Sequence, residues 1–368
     1  MTVFFIIAFA SYFLFLALLI IGWNKSSAKQ ATDAHALLIS TIIPFRNEEK
    51  NLSALIESLS KIDYPTEKFE MILIDDHSTD NSLTVAKQLS SNYSNFKVVS
   101  APSNGKKNTI ACGVGVSKGE IIVATDADCE FPSEWLRSIN YQFQNRSIRM
   151  VIGAVRIKTN SSFFSKLQAR EFCSLIGSAA STLALGFPTM CNGANLSYRK
   201  KAFLEVGGFE GNEHVASGDD EFLLRKIVKT FGAKSVTFLK DRNSVVTTGH
   251  QLSLKDLLSQ RIRWAGKWQH NSDGITKLLA VCILAFQLSW LAAIGSLIFH
   301  SWSNTVAFLF IIKILLEGYF LHRVSGFLQQ RFSFVAFISL QIFYPLYVIM
   351  VGILSTMLKV SWKDRFVN

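Results

Sequence analysis

The chain has 368 residues and is rich in apolar and basic side chains. Hydrophobic residues make up 49% of it, and 38 Lys and Arg against 27 Asp and Glu give a net charge of +11. The apolar residues crowd the first 22 positions and the stretch after about residue 276. This distribution favours lipid contact over one larger soluble core.

A basic chain suits nucleic acid, anionic lipid or phosphorylated substrates. No nucleic-acid-binding motif accompanies the charge, so we expect a membrane and no nucleic acid as partner. The five cysteines are scattered and form no CxxC pair. That pattern fits a reduced cytosolic domain and argues against a disulfide framework and against a zinc site.

The first apolar segment runs from Val3 to Ile21 without a charge. A helix needs about 20 such residues to cross the hydrocarbon core. A cleaved signal peptide would need a positive start, and MTVFF supplies none. Because Lys25 and Lys29 follow the segment, the positive-inside rule puts the next domain in the cytoplasm. We predict an uncleaved transmembrane anchor over residues 1–24, in the cell (inner) membrane.

A C-terminal membrane region over 276–357 contains three more apolar segments, and a basic tail covers 358–368. The middle segment carries Lys313 and Glu317, which are spaced to pair on one helix face. Three further crossings would place the basic tail outside, against the positive-inside rule. The last segment is therefore re-entrant, lies on the surface or breaks that rule. The segments are 276–299, 305–321 and 333–357.

Between the apolar ends, short β-rich runs alternate with helical ones over a predicted cytoplasmic domain, 36–270. This alternation predicts βαβ units and a mostly parallel sheet flanked by helices, with ligands at the carboxyl ends of the strands. The predicted strands are 37–43, 69–75, 96–100 and 120–125, and the predicted helices are 48–60, 80–91, 106–117 and 132–143.

Polar motifs follow the first two strands directly. Pro44 stops the first strand, and Glu48 is expected in the first turn of the next helix, where it complements the helix dipole. Asp75 and Asp76 end the second strand, where carboxylates can accept hydrogen bonds from a base or ribose. The residues after them, Ser78–Asp80, are suited to capping the next helix.

Two later motifs have the chemistry of a diphosphate site. Lys106 or Lys107, after a turn at Gly105, could reach a phosphate or could simply be an exposed helix lysine. Asp126 and Asp128 follow the fourth strand, where a turn would let both carboxylates approach one divalent cation. Oxygen ligands suit Mg²⁺ or Mn²⁺, which would bridge a diphosphate and neutralise the leaving group.

The segment QRIRW places Gln260, Arg263 and Trp264 on one helix face. Arg263 could grip a phosphate with two hydrogen bonds, and Trp264 could offer its ring to a sugar. The same helix mixes leucines with basic residues, which indicates an amphipathic helix at the membrane interface, and both interpretations can hold. The stretch 161–172 could be a second interface helix.

The ordered motifs IIPFRNEE, LIDDHSTDNS, GKKN and TDAD resemble those of the family 2 glycosyltransferases, which have the GT-A nucleotide-diphospho-sugar transferase fold. MCNGANLSYRKKAFLEVGGF (190–209) resembles the family's acceptor-side strand and helix. VASGDDEFLLRKI (215–227) resembles the segment that carries the catalytic base, and QRIRW is similar to the family's QxxRW. The resemblance covers about residues 37–268.

The resemblance implies that Asp220 is the general base and that Asp126 and Asp128 hold the metal. It implies an acceptor side with Gly193, Asn195, Asp219 and Trp264. The implied donor site consists of Pro44, Glu48, Asp75, Asp76, Lys106, Asp126, Asp128, Gln260, Arg263 and Trp264.

The implied reaction is the inverting transfer of a hexose or N-acetylhexosamine from a nucleotide-diphospho-sugar, with uridine as the first expectation and guanosine as the second. The acceptor would be a lipid, a lipid-linked sugar or a growing cell-envelope glycan. QxxRW is typical of processive β-polysaccharide synthases, whereas the few membrane segments favour a lipid acceptor.

A nucleotidyltransferase would carry a Gly-rich loop where this chain has PFRNEEKN. An inactive nucleotide-sugar sensor would be expected to lose the base or the metal aspartates. Protein partners are left open.

Overall fold

The computed structural model of the protein describes residues 2–26, 34–211, 218–266, 274–298, 304–358, 360–362 and 365–367. The helices are α1 (Thr2–Lys25), α2 (Leu52–Ser60), α3 (Ser82–Ser90), α4 (Lys106–Val116), α5 (Trp135–Phe143), α6 (Phe163–Ala184), α7 (Lys200–Glu205), α8 (Asp219–Phe231), α9 (Leu254–Gly266), α10 (Gly274–Ile298), α11 (Asn304–Phe327) and α12 (Phe334–Met357). The strands are β1 (Ile39–Phe45), β2 (Phe69–Asp75), β3 (Phe96–Ser100), β4 (Ile121–Ala124), β5 (Cys129–Glu130), β6 (Met150–Gly153), β7 (Val155–Ile157), β8 (Leu196–Arg199), β9 (Val236–Leu239), β10 (Val246–Thr248), β11 (Val360–Trp362) and β12 (Arg365–Val367).

The chain forms two compact units, which we call the sheet unit and the helical unit. The sheet unit comprises Ser26–Lys158, Gly186–Gly249 and Trp362–Asn368. The helical unit comprises Met1–Lys25, Thr159–Leu185 and His250–Ser361.

The sheet unit is built on seven strands in the order β3-β2-β1-β4-β8-β6-β9. The pairs β3–β2, β2–β1, β1–β4 and β6–β9 are parallel, and β8 runs antiparallel to both neighbours. The central strands are almost continuously apolar, and Ile42, Ile72 and Val123 are fully buried. Strands of this kind need cover on both faces, which the surrounding helices supply. The predicted mostly parallel α/β sheet is confirmed.

Two strand predictions are accurate, but the first strand, predicted over 37–43, is Ile39–Phe45. Pro44 does not stop it, because Pro44 and Phe45 still pair with β2. One helix boundary is also wrong. Predicted strands 69–75 and 96–100 coincide with β2 and β3. The helix predicted from residue 48 begins only at Leu52, because Asn47 adopts a φ of 51° in the loop before it. Glu48 therefore precedes the first helical turn instead of lying in it, and its backbone carbonyl accepts a hydrogen bond from Leu52 N at 3.1 Å.

The helical unit has its own apolar core. Phe9 of α1 packs with Phe286, Trp290 and Ala293 of α10. Within the described residues, three helices are long and apolar enough by length and composition to cross a membrane, and they contain Ile7–Lys25, Thr276–Gly295 and Phe334–Met357. These segments agree with three of the four that the sequence predicts.

The middle C-terminal segment, predicted over 305–321, forms most of α11, and the expected ion pair is present there. Lys313 Nζ lies 2.9 Å from Glu317 Oε1, and both side chains are largely buried. Gln341 of α12 contacts both charges, with its Nε2 donating to Glu317 Oε2 at 2.7 Å. The two charges thus neutralise each other on α11, and both are hydrogen-bonded to Gln341 of α12.

Helices α6 and α9 lie within the predicted domain 36–270 and belong to the helical unit. The domain boundaries stay a prediction. The helix expected over 161–172 extends to Ala184, and its small residues allow close contacts. A Cβ on Gly22 of α1 would lie 2.3 Å from the Ser181 carbonyl oxygen, and one on Gly177 would lie 2.8 Å from Phe320 of α11. The second half of α6 therefore packs closely against α1 and α11, whereas an interface role for 161–172 stays a prediction. Residues 267–270 lie outside the described residues.

Candidate functional site

Two aspartates at the end of β2 organise the neighbouring loops. Asp75 and Asp76 are both buried. Asp75 Oδ1 accepts a hydrogen bond from Ser78 N at 3.1 Å, and Asp76 Oδ1 accepts one from Gly105 N at 2.9 Å. Asp76 thereby ties the β2 loop to the start of α4. Their contact with a nucleoside stays a prediction, as does that of Pro44 and Glu48 at the end of neighbouring β1.

Lys106 begins α4, directly after Gly105, whose φ of 104° suits glycine. Its Nζ lies 2.5 Å from Asp126 Oδ1 and 3.8 Å from Asp219 Oδ2. Burial alone would lower the pKa of Lys106, but the carboxylates of Asp126 and Asp219 outweigh it and raise that pKa well above its ordinary value. Lys106 is thus a fixed positive charge among carboxylates and not an exposed helix lysine. Lys107 instead packs over the Phe222 ring at 4.6 Å.

The predicted base lies at the start of α8 and is held by two backbone N–H groups. Gly193 N donates to Asp220 Oδ2 at 3.1 Å, and Glu221 N donates to Asp220 Oδ1 at 2.8 Å. Gly218, with a φ of 86°, turns the chain into this helix. Residues 215–217 of the base-bearing motif lie outside the described residues.

Lys106, Asp126, Asp219 and Asp220 together form what we call the carboxylate–lysine cluster. A Cβ built on Gly193 would lie 3.4 Å from Asp219 Oδ2, 3.7 Å from Asp220 Cβ and 3.7 Å from Lys106 Nζ. The cluster is therefore assembled from the start of α4, the loop after β4, the start of α8 and the backbone of Gly193. Four motifs that are distant in sequence meet here, as the sequence predicts for the carboxyl ends of the strands.

The DxD carboxylates have different neighbours. Asp126 contacts Lys106, whereas exposed Asp128 accepts a hydrogen bond from Thr248 Oγ1 of β10 at 3.1 Å. Among the described residues, no group of three or more His, Cys, Asp or Glu is placed to hold a metal. Two carboxylates still fit Mg²⁺ or Mn²⁺, because such ions are commonly held by one or two carboxylates together with substrate phosphates and water. The Lys106 ammonium group beside Asp126 also shows that this position attracts positive charge.

Cys129, beside the DxD, is a buried thiol. Burial together with the charges of Asp128 and Asp126 raises the pKa of this thiol well above the ordinary value.

Asn195, expected on the acceptor side, is buried and fully hydrogen-bonded within the sheet unit. Its Nδ2 donates to the carbonyl oxygens of Ala154 and Ser244 at 2.9 and 3.2 Å, and its Oδ1 accepts from Trp135 Nε1 at 3.0 Å. A Cβ on Gly153 would overlap this amide. The contacts give Asn195 the role of fixing the loop that presents Gly193.

Gln260, Arg263 and Trp264 lie on α9 of the helical unit, one turn apart as predicted. Each is partly buried. Trp264 has the Phe172 ring at 6.3 Å and the Arg261 guanidinium over its face at 4.4 Å. The position of this helix face beside donor or acceptor stays a prediction.

Arg261, inside the same motif, was not predicted as a key residue. Its guanidinium donates to Glu171 of α6 at 2.7, 3.0 and 3.2 Å, and Tyr347 of α12 donates to the same carboxylate at 3.1 Å. Burial lowers the pKa of Arg261, but Glu171 outweighs it and raises that pKa above the ordinary value. The pair fixes α9 to α6. No local sequence signal marks it, because the partners are far apart in the chain.

The sheet, its flanking helices and the strand-end carboxylates define the GT-A class of fold. A solved mannosyltransferase from Pyrobaculum calidifontis, in complex with GDP-Man and Mn²⁺, aligns with 96% of this chain and 99% of its own at a TM-score of 0.63 and 16% identity. At that identity the likeness establishes the fold.

Sequence comparisons point to the same class. Residues 40–207 match the family model described as Glycosyl transferase family 2. A β-monoglucosyldiacylglycerol synthase from Nostoc sp. is 27% identical over 244 residues, which cover 64% of this chain and 50% of that protein. A poly-β-1,6-N-acetyl-D-glucosamine synthase from Staphylococcus epidermidis is 27% identical over 188 residues, covering 50% of this chain and 45% of that protein. The matches thus span about half of these relatives' length. Together the comparisons support a glycosyltransferase.

Proposed function

We propose that the protein is a membrane-bound inverting glycosyltransferase that moves a sugar from a nucleotide-diphospho-sugar to a lipid or lipid-linked acceptor. The carboxylate–lysine cluster carries this proposal. It combines a carboxylate oriented by two N–H groups with a lysine suited to an anionic diphosphate and an aspartate that could hold a divalent cation. The catalytic domain is proposed to face the cytoplasm from the cell membrane.

In the proposed mechanism, Asp220 removes the proton from an acceptor hydroxyl as its oxygen attacks the anomeric carbon. The bond from that carbon to the diphosphate oxygen breaks, and its electron pair leaves with the nucleotide diphosphate. Lys106 would offset the negative charge that develops on the leaving group, and Arg263 is proposed to assist. A divalent cation held by Asp126 and Asp128 would supply further neutralisation of that charge when bound. A single displacement inverts the anomeric centre.

A lipid acceptor is favoured by the apolar helices and by the similarity to a protein named as a glucosyldiacylglycerol synthase. The second candidate is a processive β-polysaccharide synthase, favoured by the QRIRW segment and by the similarity to a poly-N-acetylglucosamine synthase. Uridine remains the expected donor base. Guanosine is the alternative, which the GDP-Man-bound mannosyltransferase of the same fold keeps open.

The test is a transfer assay with the full chain purified in detergent. Radiolabelled UDP- and GDP-sugars are offered with Mg²⁺ or Mn²⁺, together with mixed diacylglycerol and polyprenyl-phosphate acceptors. Label that enters organic solvent as a single-sugar lipid, with stoichiometric release of nucleotide, supports the proposal. High-molecular-weight product would replace it with the polymerase. Nucleotide binding without transfer to any acceptor would leave the inactive sensor, and the absence of both transfer and nucleotide binding would reject both candidates.

A further inference from the structure

Lys106 occupies the Asp126 carboxylate that a metal ion would need. Its Nζ is 2.5 Å from Asp126 Oδ1, which makes the contact a charge-assisted hydrogen bond. Ions such as Mg²⁺ bind carboxylate oxygens at about 2.1 Å. An ion on this oxygen would therefore lie beside the ammonium group, and two neighbouring positive charges repel each other strongly in a half-buried site.

A second carboxylate holds Lys106 in place. Asp219 Oδ2 lies 3.8 Å from Nζ, and the Lys106 and Asp219 side chains are only 21% and 12% exposed. The lysine begins a helix that Asp76 anchors through Gly105 N, so its backbone is fixed while its long side chain can turn. A new anion within reach of Nζ would compensate for leaving Asp126. A nucleotide diphosphate supplies such anionic oxygens.

We propose that Lys106 couples metal binding to donor binding by holding Asp126 until the donor diphosphate draws the ammonium group away. Without nucleotide the protein binds a free divalent cation weakly. With nucleotide, Lys106 pairs with phosphate, and Asp126 becomes available to the ion. This inference rests on the proposed function for the identity of the donor, but it concerns binding and not turnover.

The experiment measures Mn²⁺ binding to the full chain in detergent, with free Mn²⁺ followed by electron paramagnetic resonance. Lys106→Met removes the competing charge and keeps a similar side-chain length. It is expected to bind Mn²⁺ without nucleotide about ten-fold more tightly than the wild type, which corresponds to ~1.4 kcal/mol. Lys118→Met, which removes an exposed lysine just after the same helix, is the matched control for net charge and should not change the affinity.

The coupling is measured by repeating the titrations with UDP and with GDP. A nucleotide that binds should increase the Mn²⁺ affinity of the wild type. Thermodynamic linkage then requires that Mn²⁺ increase the nucleotide affinity by the same factor. That factor should shrink in Lys106→Met. The double variant Lys106→Met with Asp126→Asn should lose the gained affinity, since the proposal assigns it to Asp126. Size-exclusion profiles and near-UV circular dichroism verify that each variant is folded.

Equal Mn²⁺ affinity in Lys106→Met and wild type would overturn the inference, and so would a gain that survives Asp126→Asn. The two proposals can fail separately. Sugar transfer without any effect of Lys106→Met on Mn²⁺ would reject the coupling alone. Tighter Mn²⁺ binding in Lys106→Met, without transfer from any donor, would reject the proposed function alone.

Discussion

The buried pair Arg261–Glu171 provides the sharpest stability prediction. Both side chains are only 6% exposed, and three guanidinium–carboxylate contacts of 2.7 to 3.2 Å join them. Arg261→Met would leave the Glu171 carboxylate buried with the Tyr347 hydroxyl but without a positive partner. Removing one member of such a pair typically costs about 3–5 kcal/mol. If the helical unit unfolds cooperatively, its melting temperature should fall on the order of 10 °C.

The assay is thermal unfolding of the full chain in detergent, followed by tryptophan fluorescence. Lys61→Met is the matched control, because Lys61 and Glu57 form a 2.7 Å ion pair that is about two-thirds exposed. Exposed pairs of this kind contribute ~0–1 kcal/mol. The double variant Arg261→Met with Glu171→Gln should recover part of the loss, since it leaves no buried charge unpaired. A melting temperature of Arg261→Met equal to that of Lys61→Met would refute the reasoning.

Two further predictions concern the sheet unit. Gly153→Ala should destabilise the protein by about 1–3 kcal/mol through overpacking, because the new Cβ would lie 2.2 Å from Asn195 Cγ. The control Gly249→Ala places its Cβ where nothing lies within 4 Å, so its thermal unfolding should match that of the wild type. Cys129 should resist alkylation from pH 7 to 8.5, because its thiol is buried and its raised pKa keeps it neutral, whereas partly buried Cys112 should be labelled. Peptide mass spectrometry measures the labelling of both cysteines. Rapid labelling of Cys129 in the folded protein would contradict the structure.

The sheet could be predicted from the sequence because its strands are continuous apolar runs bounded by turn residues. Strands β2 and β3 were located to the residue, and the carboxylates after β2 and β4 were identified as strand-end groups. The topology of a parallel sheet then brings such groups to one edge, which explains why separate motifs meet around Lys106.

The remaining features depend on tertiary contacts that local patterns do not encode. Asn195 looks like a binding residue in its motif, but its amide bonds to groups from three other segments. The partner of Arg261 is Glu171, far away in the chain, so QRIRW predicts the shared helix face of its other residues but not this pair. The sequence suggests only a helix over 161–172, whereas α6 extends to Ala184 and packs on the apolar helices α1 and α11 at Ser181 and Gly177.

The central claim is that the carboxylate–lysine cluster performs sugar transfer with Asp220 as the base. The most direct measurement compares single-turnover transfer of radiolabelled sugar by the wild type, by Asp220→Asn and by Asp63→Asn, an exposed aspartate outside the cluster. Binding of the nucleotide is measured in parallel by calorimetry. We predict that Asp220→Asn loses transfer by at least about a hundred-fold, in line with general base catalysis, while it still binds the nucleotide and Asp63→Asn remains active. Transfer by Asp220→Asn at near the wild-type rate would contradict the account.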